Sequence, residues 1–141
     1  MTHATRKEQL QRVLRPRHVA VIGGDAAEEA VRQLDGIGFA GSVWPVNPRR
    51  EAMAGRACYS GVEALPEAPD AALVATPAEV CPDVFAALNA QGAGGGVCFA
   101  SGFREEGDHP LQRALVDAAG DCALVGPNCH GIINYLDGVA L

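Results

Sequence analysis

Apolar positions along this chain switch repeatedly between an unbroken run and a helical period. His18-Val19-Ala20-Val21-Ile22-Gly23 is a continuous apolar run that stops at Gly23-Gly24, as a strand covered on both faces should read. Asp25 can cap a helix over 26–37, with Ala30, Val31, Leu34 and Ile37 on one side and Gly38 as its stop. A second strand is expected over 42–46, ended at Asn47-Pro48, and a half-turn over 62–65 closed by Pro66. Residues 71–75 form a third strand ending at Thr76-Pro77. The helix after it runs from near Pro77 to about Gln91, with Val80, Val84, Phe85 and Leu88 inward and Pro82 in its tolerant first turns. A fourth strand over 96–100, a helix over 110–119 and a fifth strand over 123–125 complete the series. Ahead of it, Thr5 can cap a short helix carrying Leu10, Val13 and Leu14, ended by Pro16.

Strands alternating with helices at this spacing predict a parallel sheet of right-handed crossovers. The expected class is α/β and Rossmann-like, with five parallel strands in the order 3-2-1-4-5 and helices on both faces. Residues 1–15 read as an N-terminal helix and 16–141 as the Rossmann-like domain. Residues 134–141 read as the start of a further element, so a domain cut from a longer multidomain protein is expected.

Composition narrows the function. With 141 residues, 48% hydrophobic, the chain can bury a real core. A net charge of −6 argues against a broad nucleic-acid surface, yet leaves room for a small phosphorylated ligand held by a few arginines. No run approaches a membrane span, and residues 1–8 lack the apolar core of a signal peptide. Five cysteines, an odd number without a C-x-x-C pair, fit reduced thiols in a cytoplasmic protein better than disulfides or zinc. His3, His18 and His109 have no ligand-like spacing, so no metal is assigned.

In such a sheet a ligand lies beyond the carboxyl ends of the strands, at the switch between strands one and four. The loops there hold Gly23-Gly24, Asn47-Pro48-Arg49-Arg50, Thr76-Pro77, Ser101-Gly102-Phe103 and residues 126–131. Gly23-Gly24 before a helix can turn free amides and the helix dipole toward a pyrophosphate; a plain tight turn wants the same glycines. Asp25, Glu28 and Glu29 oppose a polyphosphate there. An NAD site would place an acid about 20 residues past the glycines; this chain has Arg49-Arg50 instead. Guanidinium forks suit a ribose bearing a phosphate, as in coenzyme A or NADP, although a solvated loop pair has the same sequence. Ser101 offers a hydroxyl and Phe103 an aromatic wall, unless Phe103 is core. Cys129 reads as a structural or lining thiol rather than a nucleophile, because no partner base is identifiable and adjacent His130 points elsewhere on an extended backbone.

Five stretches, in order, resemble a known family: Val19-Ala20-Val21-Ile22-Gly23, the segment from Gly38 through Trp44-Pro45-Val46-Asn47-Pro48, Leu65-Pro66-Glu67-Ala68-Pro69-Asp70, Ala100-Ser101-Gly102-Phe103-Arg104-Glu105 and Gly126-Pro127-Asn128-Cys129-His130-Gly131. The chain is similar, from about Arg15 onward, to the N-terminal CoA-binding domain of NDP-forming acyl-CoA synthetases, relatives of the succinyl-CoA synthetase alpha subunit. The resemblance implies a ligase joining an acid to CoA at the expense of a nucleoside triphosphate, with nucleotide, Mg and a phosphorylated histidine in other domains. This chain alone is then not expected to turn over. Carried over, Gly23 and Gly24 approach the CoA diphosphate, and Arg50 replaces a basic residue near the phosphates. Ala100 and Ser101 line the cofactor, and Asn128 with Cys129 lies near its thiol end. The first loop departs from the family, passing from Gly23-Gly24 straight into an acidic helix start. That departure motivates a second reading, a ligand-sensing or assembly module that has lost CoA. An NADP-linked oxidoreductase domain is a third, lacking G-x-G-x-x-G. The partners expected are CoA and the remaining ligase domains, with no nucleic acid or membrane; a homo-oligomer stays open.

Overall fold

Five parallel strands form the frame: β1 (His18–Gly23), β2 (Ser42–Val46), β5 (Ala71–Ala75), β6 (Gly95–Cys98) and β7 (Ala123–Val125), ordered β2-β1-β5-β6-β7. This is a computed structural model, and it describes residues 5–103, 107 and 109–141. The N-terminal segment with His3, and Arg104 and Glu105 of the fourth stretch, lie outside the described residues. Two short hairpins complete the strands: β3 (Ala52–Met53) with β4 (Arg56–Ala57), and β8 (Ile133–Asn134) with β9 (Val139–Ala140).

The unbroken apolar runs arise because both sheet faces are covered. Along β1, Ala20 and Ile22 enter one core layer while Val19 and Val21 enter the other, and β5 repeats this with Ala72 and Val74 against Ala71 and Leu73. On the first face lie α3 (Cys81–Gln91) and α4 (His109–Ala119), anchored by Phe85, Leu88 and Leu115. On the second lie α1 (Arg6–Leu14), α2 (Asp25–Gly36) and the β8–β9 hairpin, through Val13, Val31, Leu34, Val139 and Leu141.

The α/β class, the five parallel strands and the helices on both faces are as expected. Within the sheet, the third long strand, β5, pairs with β1 on the side opposite β2, rather than outside β2 as the order 3-2-1-4-5 would have it. Two features explain its place. All of Ala71, Ala72, Leu73 and Val74 are buried, which a central position requires. The outer edge of β2 is already taken, since Asn47 N–H donates to Tyr59 and Tyr59 N–H to Pro45. Pro45 therefore turns its missing donor to that edge, where proline is tolerated.

Four local readings change. The N-cap of α2 is Gly24, not Asp25, which is the first helical residue. Val80 stays 40% exposed in a 3-10 turn (Ala78–Val80) ahead of α3. Strand β6 ends at Cys98, before Phe99 and Ala100. Residues 133–140, read as the start of a further element, pair with each other as a hairpin, with Asn134 bridging Leu14 and Asp137.

The amino ends of the strands are locked by a buried acid. Asp70 accepts from Arg12 Nε at 2.9 Å and from Arg17 Nε and the Arg17 N–H at 3.0 Å. Burial would raise its carboxyl, but the bonds from Arg17 and Arg12 win and hold it at about 2. Next to it, His18 stacks on Trp44 and accepts from Asp70 N–H at Nδ1, leaving Nε2 facing Glu67 at 2.9 Å. These groups sit at the far end from the candidate site.

Candidate functional site

Strand order reverses between β1 and β5, since the chain steps outward from β1 to β2 and then returns to build β5, β6 and β7 on the other side. A crevice is expected outside the carboxyl ends at such a reversal. A cleft of about 560 Å³ opens there, lined by the ends of β1, β2 and β5, by residues 60–63 and by one side of α3.

Seven of the sequence-derived residues line this cleft: Gly23, Gly24, Asn47, Pro48, Arg49, Thr76 and Pro77. Gly23 cannot be replaced without cost, because it holds φ +147° and an added Cβ would sit 2.5 Å from the Ala75 carbonyl oxygen. Gly24 caps α2 without any side-chain hydrogen bond, so no side-chain cap covers the first-turn amides of this 12-residue helix. Asn47 braces the two strand ends. Its amide donates to the Gly23 carbonyl at 2.8 Å, and its oxygen accepts from the N–H of Arg49 at 2.8 Å and of Arg50 at 3.2 Å.

The two arginines do different things. Arg50 reaches back to α2, pairing with Asp25 at 2.5 Å and Glu28 at 3.2 Å. The hydrogen bond from Arg50 lowers the Asp25 carboxyl, and Asp25 in turn raises the Arg50 guanidinium. Two of the three carboxylates that oppose a polyphosphate are thus offset by a cation that reaches over from the loop after β2. Arg49 is exposed at the cleft and makes no ion pair among the described residues.

The walls were not legible as site residues. Ile22, Val46, Val62, Val80, Val84 and Ala87 give the cleft an apolar lining, with Ser60, Glu63 and Asp83 at its edge. Val80 and Val84 read as core in the helical period, yet both line the cleft, Val80 from the 3-10 turn that precedes α3 and Val84 from the first turn of α3. The one available signal was the helix's placement directly after Thr76-Pro77.

A second group of expected residues lies outside this cleft, at the ends of β6 and β7. Asn128 N–H donates to the Ala100 carbonyl at 2.9 Å, and Cys129 N–H to Cys98 at 3.3 Å. Gly126 (φ +107°) permits that crossing, since a Cβ there would lie 2.6 Å from the Cys98 oxygen. Ser101 is exposed and Gly102 half-buried, whereas Phe103 is fully buried in the core and offers no wall. The Cys129 thiol turns to its own loop, accepting from Gly131 N–H at 3.4 Å. His130 lines a smaller cavity of about 240 Å³ between α2 and the β8–β9 hairpin, with Phe99 and Ile133. No group of metal-ligating side chains occurs among the described residues, and no described helix is long and apolar enough to cross a membrane.

A family model described as a CoA binding domain matches residues 17–135. The chain belongs to the CoA-binding domain family. It is 35% identical over 143 residues to a trans-feruloyl-CoA synthase from an unknown prokaryotic organism, covering 95% of this chain and 20% of that protein. It is also 35% identical over 132 residues to the ADP-forming acetate–CoA ligase I of Archaeoglobus fulgidus, covering 89% of this chain and 19% of that protein. Among solved structures, the apo dinucleotide forming acetyl-coenzyme A synthetase 1 of Ca. Korarchaeum cryptofilum superposes with a TM-score of 0.86 at 28% identity, over 92% of this chain and 30% of that one. The chain thus spans about a fifth to a third of the length of these proteins. For a CoA-binding domain the residues fit: apolar walls suit a base, glycines at a helix start suit a diphosphate, and an exposed arginine with no ion pair among the described residues suits a phosphate monoester.

Proposed function

We propose that this chain holds CoA for an NDP-forming acyl-CoA synthetase, with the nucleotide end of CoA in the cleft between β1, β2, β5 and α3. The base packs against Val62, Val80 and Val84. The diphosphate runs over Gly23-Gly24 toward the first turn of α2, and the ribose phosphate meets Arg49. Ala100, Ser101 and Asn128, at the ends of β6 and β7, take the far end of the ligand, with Cys129 as a lining thiol rather than a nucleophile. The carrying observation is the split of the arginine pair: Arg50 offsets Asp25 and Glu28, and the Arg49 guanidinium at the cleft makes no ion pair among the described residues.

The parent reaction joins an acid, CoA and a nucleoside triphosphate into acyl-CoA, nucleoside diphosphate and phosphate. Nucleotide, Mg and the phosphorylated residue belong to further domains of the same protein or to a partner subunit. The acidic helix start, which motivates a module that has lost CoA, loses force because its carboxylates are paired.

Calorimetric titration of the chain with CoA and dephospho-CoA tests the reading. Binding of CoA, and weaker binding of dephospho-CoA, is expected; no binding of either to folded protein refutes it. Acid, CoA, nucleotide and Mg should give acyl-CoA only when the remaining ligase domains are supplied.

A further inference from the structure

Two thiols lie one layer beneath the floor of the cleft. Cys81 opens α3 and Cys98 ends β6; both are fully buried and reduced. Their sulfurs are 3.8 Å apart, with the Cys98 thiol donating to Cys81. Cys81 Sγ also lies 3.4 Å from the Thr76 hydroxyl and from the Pro77 carbonyl oxygen, and Thr76 and Pro77 line the cleft. One sulfur therefore touches both a potential partner and the rim of the site.

We propose that Cys81 and Cys98 are an oxidisable dithiol, closed to a disulfide by a small peroxide, and that closure displaces the Thr76-Pro77 rim. The bonded distance is about 2.05 Å, so the sulfurs must approach by roughly 1.8 Å. Cys81 then leaves its contacts with Thr76 and Pro77. The polarity of the pair sets the order of events. The Cys98 proton and the Thr76 hydroxyl lower the Cys81 thiol against its burial, while donation to Cys81 and burial raise Cys98. Cys81 is the attacking thiolate. Its sulfur bonds one peroxide oxygen as the O–O bond breaks, and the departing hydroxide takes up the proton that the Cys81 thiol released and leaves as water, giving a sulfenic acid. Cys98 sulfur then displaces hydroxide from that sulfur, forming S–S and breaking S–O, and the Cys98 proton leaves in a second water. The dithiol gives up two electrons and the peroxide becomes water.

A consequence for CoA rests on the function proposed above. A displaced rim should weaken CoA on the order of tenfold, within the usual range of coupling between sites. By linkage, saturating CoA should make the dithiol harder to oxidise by the same factor, which is about 30 mV for a two-electron couple.

The test treats the folded chain with hydrogen peroxide, and separately with a glutathione redox buffer. Linked peptides are mapped without reduction, and backbone amide exchange is followed over residues 76–85. A Cys81–Cys98 peptide, with altered exchange over that segment, is expected. Cys98→Ser or Cys98→Ala should stop at a sulfenic acid on Cys81, trapped by dimedone, with the segment unchanged. If both cysteines stay thiols in folded protein, or pair elsewhere, the dithiol is overturned. A mapped disulfide with unchanged exchange overturns the rim displacement. Reduced protein that binds no CoA removes the functional reading instead, while mapping and exchange still judge the dithiol.

Discussion

Replacing Arg49 and Arg50 one at a time separates a ligand contact from a structural brace. The Arg49 guanidinium makes no ion pair among the described residues and is exposed, its backbone N–H alone being held by Asn47, so Arg49→Ala removes little from the free protein. A guanidinium about 4 Å from a phosphate gains about 1 kcal/mol per charge pair in a water-like medium and about 4 kcal/mol near a protein surface. At an open rim the low end applies. About 1.5 kcal/mol corresponds to roughly tenfold in affinity for CoA, and dephospho-CoA, lacking that phosphate, should be nearly unaffected. Arg50→Ala acts differently, because it removes the cation facing Asp25 and Glu28 beside the helix start and leaves Glu28 only its ion pair with Arg32. Both ligands carry the diphosphate, so both should weaken by a similar factor, roughly threefold. Calorimetry at low salt reads both ratios, and raising the salt to about 1 M should shrink the Arg49 effect most. An unchanged CoA to dephospho-CoA ratio in Arg49→Ala would refute the ribose-phosphate contact. A ratio that moves only in Arg50→Ala would mean the two roles are exchanged.

Other substitutions probe the same frame. Asp25→Ser should tighten CoA roughly twofold by removing a carboxylate near the helix start; a looser complex would show that Asp25 is needed to hold Arg50. Gly23→Ala forces a Cβ against Ala75 at a φ that favours glycine, and should cost about 3 kcal/mol, read as a fall in melting temperature of roughly 10 °C. Cys129→Ser should leave CoA affinity within about twofold, since a thiol aimed at its own loop contributes little to a ligand; complete loss would make the thiol a contact. Asp70, held at about 2, contributes stability that is complete above its unfolded value and disappears as pH falls from about 4 to about 2. That contribution is at most about 2 kcal/mol, because Arg17 is largely solvated. Denaturant unfolding between pH 5 and pH 2 should steepen for the native chain and flatten for Asp70→Asn.

The apolar runs of β1 and β5 made the sheet class legible, because burial on both faces leaves no polar alternation to confuse with a helix. Strand order was less legible. The segment between β2 and β5 carries no long helix, so nothing in its pattern says on which side of β1 the chain returns; that is decided by Tyr59 occupying the outer edge of β2. The cleft loops were legible as glycine, proline and arginine punctuation, and Gly23, Gly24, Asn47, Pro48, Arg49, Thr76 and Pro77 meet in one place. Its walls were not. Val62 and Val80 belong to 3-10 turns and Val84 to the first turn of α3, where periodicity looks the same whether a residue faces a core or a cleft. The reach of Arg50 to Asp25 and Glu28 spans 25 and 22 residues, a distance at which sequence shows only that opposite charges exist.

That long-range pairing bears on how a shortened acidic loop coexists with a CoA-binding fold. Two carboxylates in the first turn of α2 are favourable for the helix itself, since they face its positive end, but they work against any anion brought to the same amides. Arg50 resolves the conflict without moving either carboxylate, and Asn47 fixes the backbone from which Arg50 departs. The brace draws on the ends of β1 and β2 and the start of α2, three elements that meet only where strand order reverses. The position of the site and its tolerance for an acidic turn therefore follow from the same topological fact. Moving β5 outside β2 would leave Arg50 near α2 but take Thr76-Pro77, and with it one wall of the cleft, away from Gly23.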